Sequence, residues 1–574
     1  MIHEVGHALG LGHGGTYPVT GVTTAPYTAY DSNAYTVMSY LHPQSSALTG
    51  ISPLSFSWGV SLSDNGSYYR NYEVTPQMLD IVAIQRLYGA PTTTPLSGGQ
   101  VFGFNTNITG PIRNFFDFTV NTKPVVTLFN TGTGNSLDLS GFTQGAKVDL
   151  HDGAFSSAGG LTNNIAIAFG TRIDAVVTGN GSDTIVANDN GDTITSGAGN
   201  DTITGGAGND AVTMGANFDL GDRIDLGAGS NDQVAIQGDY TGTRRLALGA
   251  ATLLNVEVLS VMPGFSYDIT SNNANVAAGA VFTIFGGNLA AGNALSFNGA
   301  GETDGAFRMY GGLGTDSFTG GAGSDGFYFG PGRYSASDQV HGGPGSDQLA
   351  LDGDYALTLT SREDVETFVM LPGTAGSPAH YAITVADSFA PAGQARTLFG
   401  LAVTTPLAIN AGAELDAPLT IYGGQAGDAI SGGQAADLIF GGGGGDALSG
   451  GGGADVFLFD AAAQSTSTGF DRISDFAYGT DVLRIRGQAH DAYATVNGGT
   501  LSNASFDADL AAATGGLLAN GSAVIFNPSG GDWAGHHFLI VDANGIAGYQ
   551  PGGDYVIQLP DIAPPTNGLD FITL

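Results

Sequence analysis

Gly197-Ala198-Gly199-Asn200-Asp201-Thr202-Ile203 and, in the next nine-residue period, Gly205-Gly206-Ala207-Gly208-Asn209-Asp210-Ala211-Val212 decide the fold. The pattern Gly-Gly-x-Gly-x-Asp-x-apolar-x has a physical reading as one half-turn of a parallel β-roll. The glycines supply positive φ and carbonyls that can face a cation, the aspartate adds a carboxylate, and the apolar residue ends a short strand pointing inward. Asp183, Asp192, Asp201, Asp210 and Asp219 keep the spacing of nine, with Ile185, Ile194, Ile203 and Val212 in register. A flexible glycine-rich linker would not hold apolar residues at a fixed period.

Two further clusters follow, so the calcium ligands expected are Asp183, Asp192, Gly197, Gly199, Asp201, Gly206, Gly208 and Asp210; Gly312, Gly314, Asp316, Gly321, Gly323, Asp325 and Asp347; and Asp428, Asp437, Gly442, Gly444, Asp446 and Asp455. Several Ca2+ ions would be shared between successive turns, and folding and binding would be one event. Asn188 and Asn190 replace glycines before Asp192, and Ala426 and Ala435 do so in the third cluster. Weaker or absent sites are expected there.

Composition agrees with a cation-dependent fold. Among 574 residues stand 52 Asp and Glu against 16 Lys and Arg, a net charge of -36. Such a chain is a poor partner for nucleic acid or anionic membranes, both of which demand basic residues. There is no cysteine, hence neither disulfides nor thiolate metal sites. No apolar run of about 18 residues is present, so no spanning helix is expected. The N-terminus also lacks the basic and apolar regions of a signal peptide.

Residues 1–91 form the first unit, closed by the helix signal Leu79 to Gly89, with Thr75 as N-cap, Pro76 at N1 and apolar Ile81, Ile84, Leu87 and Tyr88 on one face. Thr92-Thr93-Thr94-Pro95 reads as a linker. The β-roll with its first cluster covers 98–235, the second cluster 311–350 and the third 422–490. Spacers at 236–310 and 351–421 read as β-rich, and residues 491–574 as a C-terminal β region. The spacers resemble each other: Asp232-Gln233-Val234-Ala235 with Gly238-Asp239-Tyr240 recurs as Asp347-Gln348-Leu349-Ala350 with Gly353-Asp354-Tyr355. No chemistry is read in them.

The first unit opens with His3-Glu4-Val5-Gly6-His7-Ala8-Leu9-Gly10-Leu11-Gly12-His13. Histidines four apart on a helix share a face, so His3 and His7 can ligate one tetrahedral cation, with Glu4 beside the position left open for water. Gly10 allows the sharp turn that returns His13 as third ligand. Three of the chain's 10 histidines fall in these first 13 residues. The other seven, His42, His151, His341, His380, His490, His536 and His537, show no ligand spacing and are assigned nothing.

With Thr36-Val37-Met38-Ser39-Tyr40 downstream, the histidine motif resembles that of metzincin proteases. The order of parts is similar to the serralysin family, peptidase family M10, whose catalytic domain is followed by such repeats, known as RTX. That resemblance implies an α+β partial metzincin catalytic domain followed by an all-β region of parallel β-roll (RTX) repeats and β-rich spacers. It implies one Zn2+ on His3, His7 and His13, Glu4 as catalytic base then acid, Met38 as the Met-turn beneath the metal, and Tyr40 as a displaceable zinc ligand that stabilises the oxyanion. The activity implied is extracellular hydrolysis of peptide bonds in protein or peptide substrates, the alternative being a non-catalytic calcium-binding scaffold or adhesin with a vestigial protease segment.

Asn135 to Phe142, Gly453 to Phe459 and Asp471 to Phe476 also look like family landmarks; the resemblance covers residues 1 to about 240 and 420 to 574. The C-terminal Asp570-Phe571-Ile572-Thr573-Leu574 is similar to an uncleaved type I secretion signal, which implies the type I secretion machinery as a partner. The β-sheet that in this family precedes the zinc helix has no counterpart in the sequence. Met1 is therefore expected to be an internal methionine of a longer protein, with a degraded, inactive paralogue as the alternative.

Overall fold

A computed structural model describes residues 1–15, 25–62, 67–486, 493–519, 521–560 and 571–573. His490, Asp570 and Leu574 lie outside the described residues. The chain divides into two compact units, Met1–Phe285 and Gly286–Leu574.

In the first unit the nine-residue period produces three- and four-residue strands that alternate between two parallel sheets. One carries Thr193–Ser196, Ala211–Met214, Gln233–Ile236 and Val258–Val261; the other carries Thr184–Val186, Thr202–Thr204 and Arg223–Asp225. Register is set by the apolar residue of each repeat. Ile194, Val212, Val234 and Leu259 pair in one column, and Val148, Ile185, Ile203 and Ile224 in the other. These residues are at most 2% exposed, so each turn contributes one or two fully buried side chains to a narrow apolar core. Gly199 shows why glycine ends the strands: its φ is +132°, and a Cβ would stand 2.4 Å from the Gly181 carbonyl oxygen of the preceding turn.

The second unit repeats this architecture. Phe327, Leu349, Phe368, Leu398, Ile421, Ile439, Phe457 and Leu483 form one unbroken column of parallel pairs. Phe368 and Leu398 belong to the stretch 351–421, which therefore supplies turns to the same ladder despite having no glycine-aspartate motif. A facing column runs through Ile383, Ile409, Ile430, Leu448 and Ile473. At its end Asp554–Leu559, His537–Asp542 and Ala523–Asn527 pair antiparallel, and helix Phe506–Thr514 packs into a core with Phe470, Leu510, Val524, Phe538 and Val556.

The described residues of the stretch 1–91 include two α-helices, α1 (Ile2–Ala8) and α2 (Met78–Tyr88), and a short antiparallel pair, Val60–Leu62 with Tyr68–Arg70. The start of α2 corrects the sequence expectation. The capping position is Gln77, whose N–H donates to Asp80 Oδ2 at 2.8 Å, while the Thr75 hydroxyl accepts instead from the Thr127 N–H at 2.7 Å. A bond to another segment has displaced the local cap. The helix does end at Gly89, with φ +87°. Its apolar stripe is less covered than its periodicity suggests: Ile81 and Ile84 are half-buried and Leu87 is 57% exposed.

Truncating a roll residue tests the packing argument. Ile203→Ala is expected to lower unfolding stability of the calcium-loaded protein by about 2–4 kcal/mol in urea titrations. Thr204→Ala, on the exposed face of the same strand, is expected to change it by less than about 0.5 kcal/mol.

Candidate functional site

The three histidines of the first motif converge. His3 and His7 project from α1, and Gly10, with φ +90°, reverses the chain so that His13 faces them. One ligand nitrogen from each lies within 4.8 Å of the others, and His7 Nε2 and His13 Nε2 are 3.0 Å apart. Two nitrogens each about 2.0–2.1 Å from a tetrahedral ion would sit about 3.3 Å apart. The outer nitrogens are already committed. His3 Nδ1 bonds the Val37 carbonyl at 2.7 Å and His7 Nδ1 the Leu11 carbonyl at 3.0 Å, which places the proton on Nδ1 and leaves the Nε2 lone pairs turned inward. His3 Nε2 is buried without a hydrogen-bond partner. Burial, together with His7 and His3, holds the His13 imidazole below its usual pKa and so in the neutral, ligating form. This donor set fits zinc.

Tyr40 and Met38 lie beside the histidines. The Tyr40 hydroxyl is 3.0 Å from His13 Nε2, and its ring stacks at 5.2 Å on that of His3. Met38 is 2% exposed and packs beneath α1 at Gly6, where a Cβ would stand 2.4 Å from the Met38 sulfur. Gly6 is thus a functional position that the motif contains but that spacing rules did not single out. Glu4 is solvent-exposed on α1, adjacent to the first ligand.

The sequence reading also missed Asp80. It is 3% exposed and accepts from the Thr36 hydroxyl (2.5 Å) and the Val37 N–H (2.9 Å). The peptide oxygen of Val37 is the one that orients His3, so Asp80 reaches the histidine through a single residue. Only its place in the first turn of a helix hinted at this role. On the side of α1 away from the histidines, Ile2 and Val5 line an apolar cavity of about 500 Å3 with Val74, Ile81, Leu96 and Phe115.

The repeat aspartates form a second kind of site. Each backbone N–H donates to a carboxylate one full turn on: Asp183 to Asp201 at 2.9 Å, Asp192 to Asp210 at 2.7 Å, Asp325 to Asp347 at 2.7 Å, Asp428 to Asp446 at 2.8 Å and Asp437 to Asp455 at 2.9 Å. Residues apart by nine therefore stand on opposite sides of the roll, and those apart by 18 stack. Beyond the regular repeats the columns continue with residues the period did not find. Asp222 follows Asp201, Asp232 follows Asp210, Asp338 follows Asp316, Asp471 follows Asp446 and Asp481 follows Asp455. Asp219 is displaced from its predicted place by Asp222, because a longer turn separates the strands.

Asp183, Asp201, Asp232, Asp347 and Asp446 each keep a buried Oδ2 with no hydrogen-bond partner, as a cation ligand would. At Gly342 a Cβ would fall 2.1 Å from Asp347 Oδ2, and at Gly441 2.2 Å from Asp446 Oδ2, so a side chain there would fill the space beside the carboxylate. The predicted glycines stack likewise on the preceding turn: Gly197, Gly206, Gly208, Gly312, Gly314, Gly321, Gly323, Gly442 and Gly444 would place a Cβ between 1.7 and 2.9 Å from its atoms. Asp192 differs, since Asn188 donates to both its oxygens, at 2.7 and 3.0 Å.

Two parallel β-rolls built on buried aspartate columns, one of them in the same compact unit as a cluster of three histidines, define a parallel β-roll protein. The family model described as Peptidase M10 serralysin C terminal matches residues 92–343 and 418–498, more than half of the chain, and the protein belongs to that family. It is 34% identical over 181 residues to Serralysin B of Dickeya chrysanthemi, covering 30% of this chain and 33% of that relative. It is 37% identical over 182 residues to Serralysin of Proteus mirabilis (31% and 32%), and 36% over 179 residues to Metalloprotease AprA of Pseudomonas entomophila (strain L48) (30% and 33%). The chain thus spans about a third of the length of the curated relatives it matches.

Burial raises the carboxyl pKa to about 7 at Asp192, Asp316 and Asp455 and to about 6 at Asp232, Asp428 and Asp437. A raised carboxyl pKa means that the folded state binds more protons than the unfolded one, so stability falls as pH rises from about 4 through 7. In chelator, the β structure seen by circular dichroism is expected to be greater at pH 5 than at pH 8. Saturating calcium is expected to remove most of that difference, and a metal-free protein more stable at pH 8 would contradict the assignment.

Proposed function

We propose that this protein acts as a secreted zinc endopeptidase that hydrolyses peptide bonds in protein or peptide substrates and is stabilised by calcium in its β-rolls. The observation that carries the reading is the convergence of His3, His7 and His13, with both α1 histidines oriented by backbone carbonyls and Tyr40 at the rim.

Zinc bound there would supply Lewis acidity and lower the pKa of a water molecule. The chain's own residues do the rest. His3, His7 and His13 hold the ion; Met38 and Asp80 hold the histidines. Glu4 takes the proton of the attacking water and returns it to the leaving amine. The Tyr40 hydroxyl donates to the substrate oxygen on which negative charge develops. The aspartate columns repel one another until calcium neutralises them, so the repeats stay unfolded where calcium is scarce and fold outside the cell. That behaviour suits export as an extended chain by the type I machinery, and among the described residues no helix is long and apolar enough to cross a membrane.

A second reading, a calcium-dependent scaffold or adhesin with a vestigial zinc helix, is favoured by one observation: the family match begins at residue 92 and leaves the histidine motif outside it. Metal content separates the two. The protease reading expects one zinc per chain together with several calcium ions, and loss of zinc in His7→Ala; calcium without stoichiometric zinc favours the scaffold. For the protease, casein hydrolysis is expected to be abolished by chelator and by Glu4→Gln, and undiminished cleavage by the Gln variant overturns the role of Glu4. Adding millimolar calcium to metal-free protein is expected to convert a coil spectrum to β; a fully folded apo state would count against coupled folding.

A further inference from the structure

The stretch between the second and third glycine-aspartate clusters, in which the sequence shows no chemistry, gathers three carboxylates. One oxygen from each of Asp387, Glu414 and Asp416 lies within 4.8 Å of the others. Glu414 is 0% exposed, and its two oxygens are treated very differently. Oε1 accepts from the N–H groups of Leu415, Asp416 and Ala417 at 3.1, 3.3 and 3.1 Å, whereas Oε2 is buried with no hydrogen-bond partner. Asp387 is tied to the same turn, since its Oδ1 accepts from the Leu415 N–H at 3.1 Å. Among the described residues, no Lys, Arg or His pairs with any of the three. Three like charges in one cluster, one of them carrying an unsatisfied buried oxygen, are unfavourable unless a cation joins them.

The resemblance between the two spacers gives an independent observation of the same turn. Asn298-Gly299-Ala300-Gly301-Glu302-Thr303-Asp304 corresponds to Asn410-Ala411-Gly412-Ala413-Glu414-Leu415-Asp416. Glu302 Oε1 accepts from Thr303, Asp304 and Gly305 at 3.0, 3.1 and 2.9 Å, and its Oε2 is again buried and unpartnered. The turn is therefore built to present one bare glutamate oxygen. Aligning Tyr267 with Tyr381 sets Asn273 opposite Asp387, so the later copy carries a carboxylate where the earlier one carries an amide.

We propose that Asp387, Glu414 and Asp416 bind one hard divalent cation, calcium, at the head of the third glycine-aspartate cluster. Calcium suits the site better than magnesium because it accepts six to eight oxygens in flexible geometry, and two of the carboxylates are exposed side chains on different segments. The position explains the use. The Glu414 carbonyl accepts from the Gln434 N–H at 2.9 Å, and the adjacent Gly433 N–H donates to Asp437 at 2.6 Å, so this turn is the surface on which the third cluster stacks. A cation here would order that surface. The cluster lies between the two family-matched segments, 92–343 and 418–498.

Equilibrium dialysis of the full chain against radioactive calcium chloride tests the proposal. Relative to wild type, Asp387→Asn/Asp416→Asn is expected to bind at least one ion fewer per chain at saturation, with zinc content and the β-sheet circular dichroism unchanged. An unchanged calcium count overturns the site. Should the double variant lose β structure, Asp387→Asn alone decides, because the amide oxygen can still accept from Leu415. It is expected to weaken one calcium ion tenfold or more, and unaltered affinity of every ion overturns the proposal. Neither readout depends on peptide hydrolysis, so the site can fail without the protease reading failing, and the reverse.

Discussion

The structure depends on one repeated contact: the backbone N–H of a buried aspartate donating to the carboxylate of the aspartate one turn further on. It fixes the stacking distance, points each acid into the roll and brings carboxylates together down a column. The apolar residue two positions later supplies the hydrophobic burial that holds the sheets together, but it cannot relieve the charge. Relief comes from protons or from cations, because burial disfavours the charged carboxylates and pushes their pKa values up.

The histidine centre rests on a different foundation. A helix as short as Ile2–Ala8 is not stable by itself. It is held by the Met38 side chain lodged against Gly6, by the Tyr88 hydroxyl donating to the Leu9 carbonyl at 3.0 Å, and by the Val37 carbonyl on His3. Val37 is in turn gripped by Asp80 from α2. The histidine cluster is thus assembled from three segments, and a change in α2 far from the histidines in sequence would loosen one of them.

Turns without the glycine-aspartate motif are tolerated because a solenoid turn contacts only its neighbours. Residues 351–421 lack the repeat motif yet continue the column through Phe368 and Leu398, since what the ladder requires is an apolar side chain at the right register. Freed from the glycine-aspartate pattern, such turns can carry other groups. Glu302 and Glu414 show a common turn with different surroundings.

The sequence alone determined the parallel roll, its nine-residue step, its buried isoleucines and the identity of the three convergent histidines. Each of these is written in local spacing, and local spacing survives folding. It did not determine which aspartate completes a column once turn length departs from the period, as Asp222 replacing Asp219 shows, nor that Thr75 gives up its cap to bond Thr127. It was silent on Asp80, on Gly6 as the seat of Met38, and on Asp387 meeting Glu414. Those were decided by tertiary structure, because each pairs residues whose separation along the chain carries no periodic signal and whose contact exists only once separate turns are stacked.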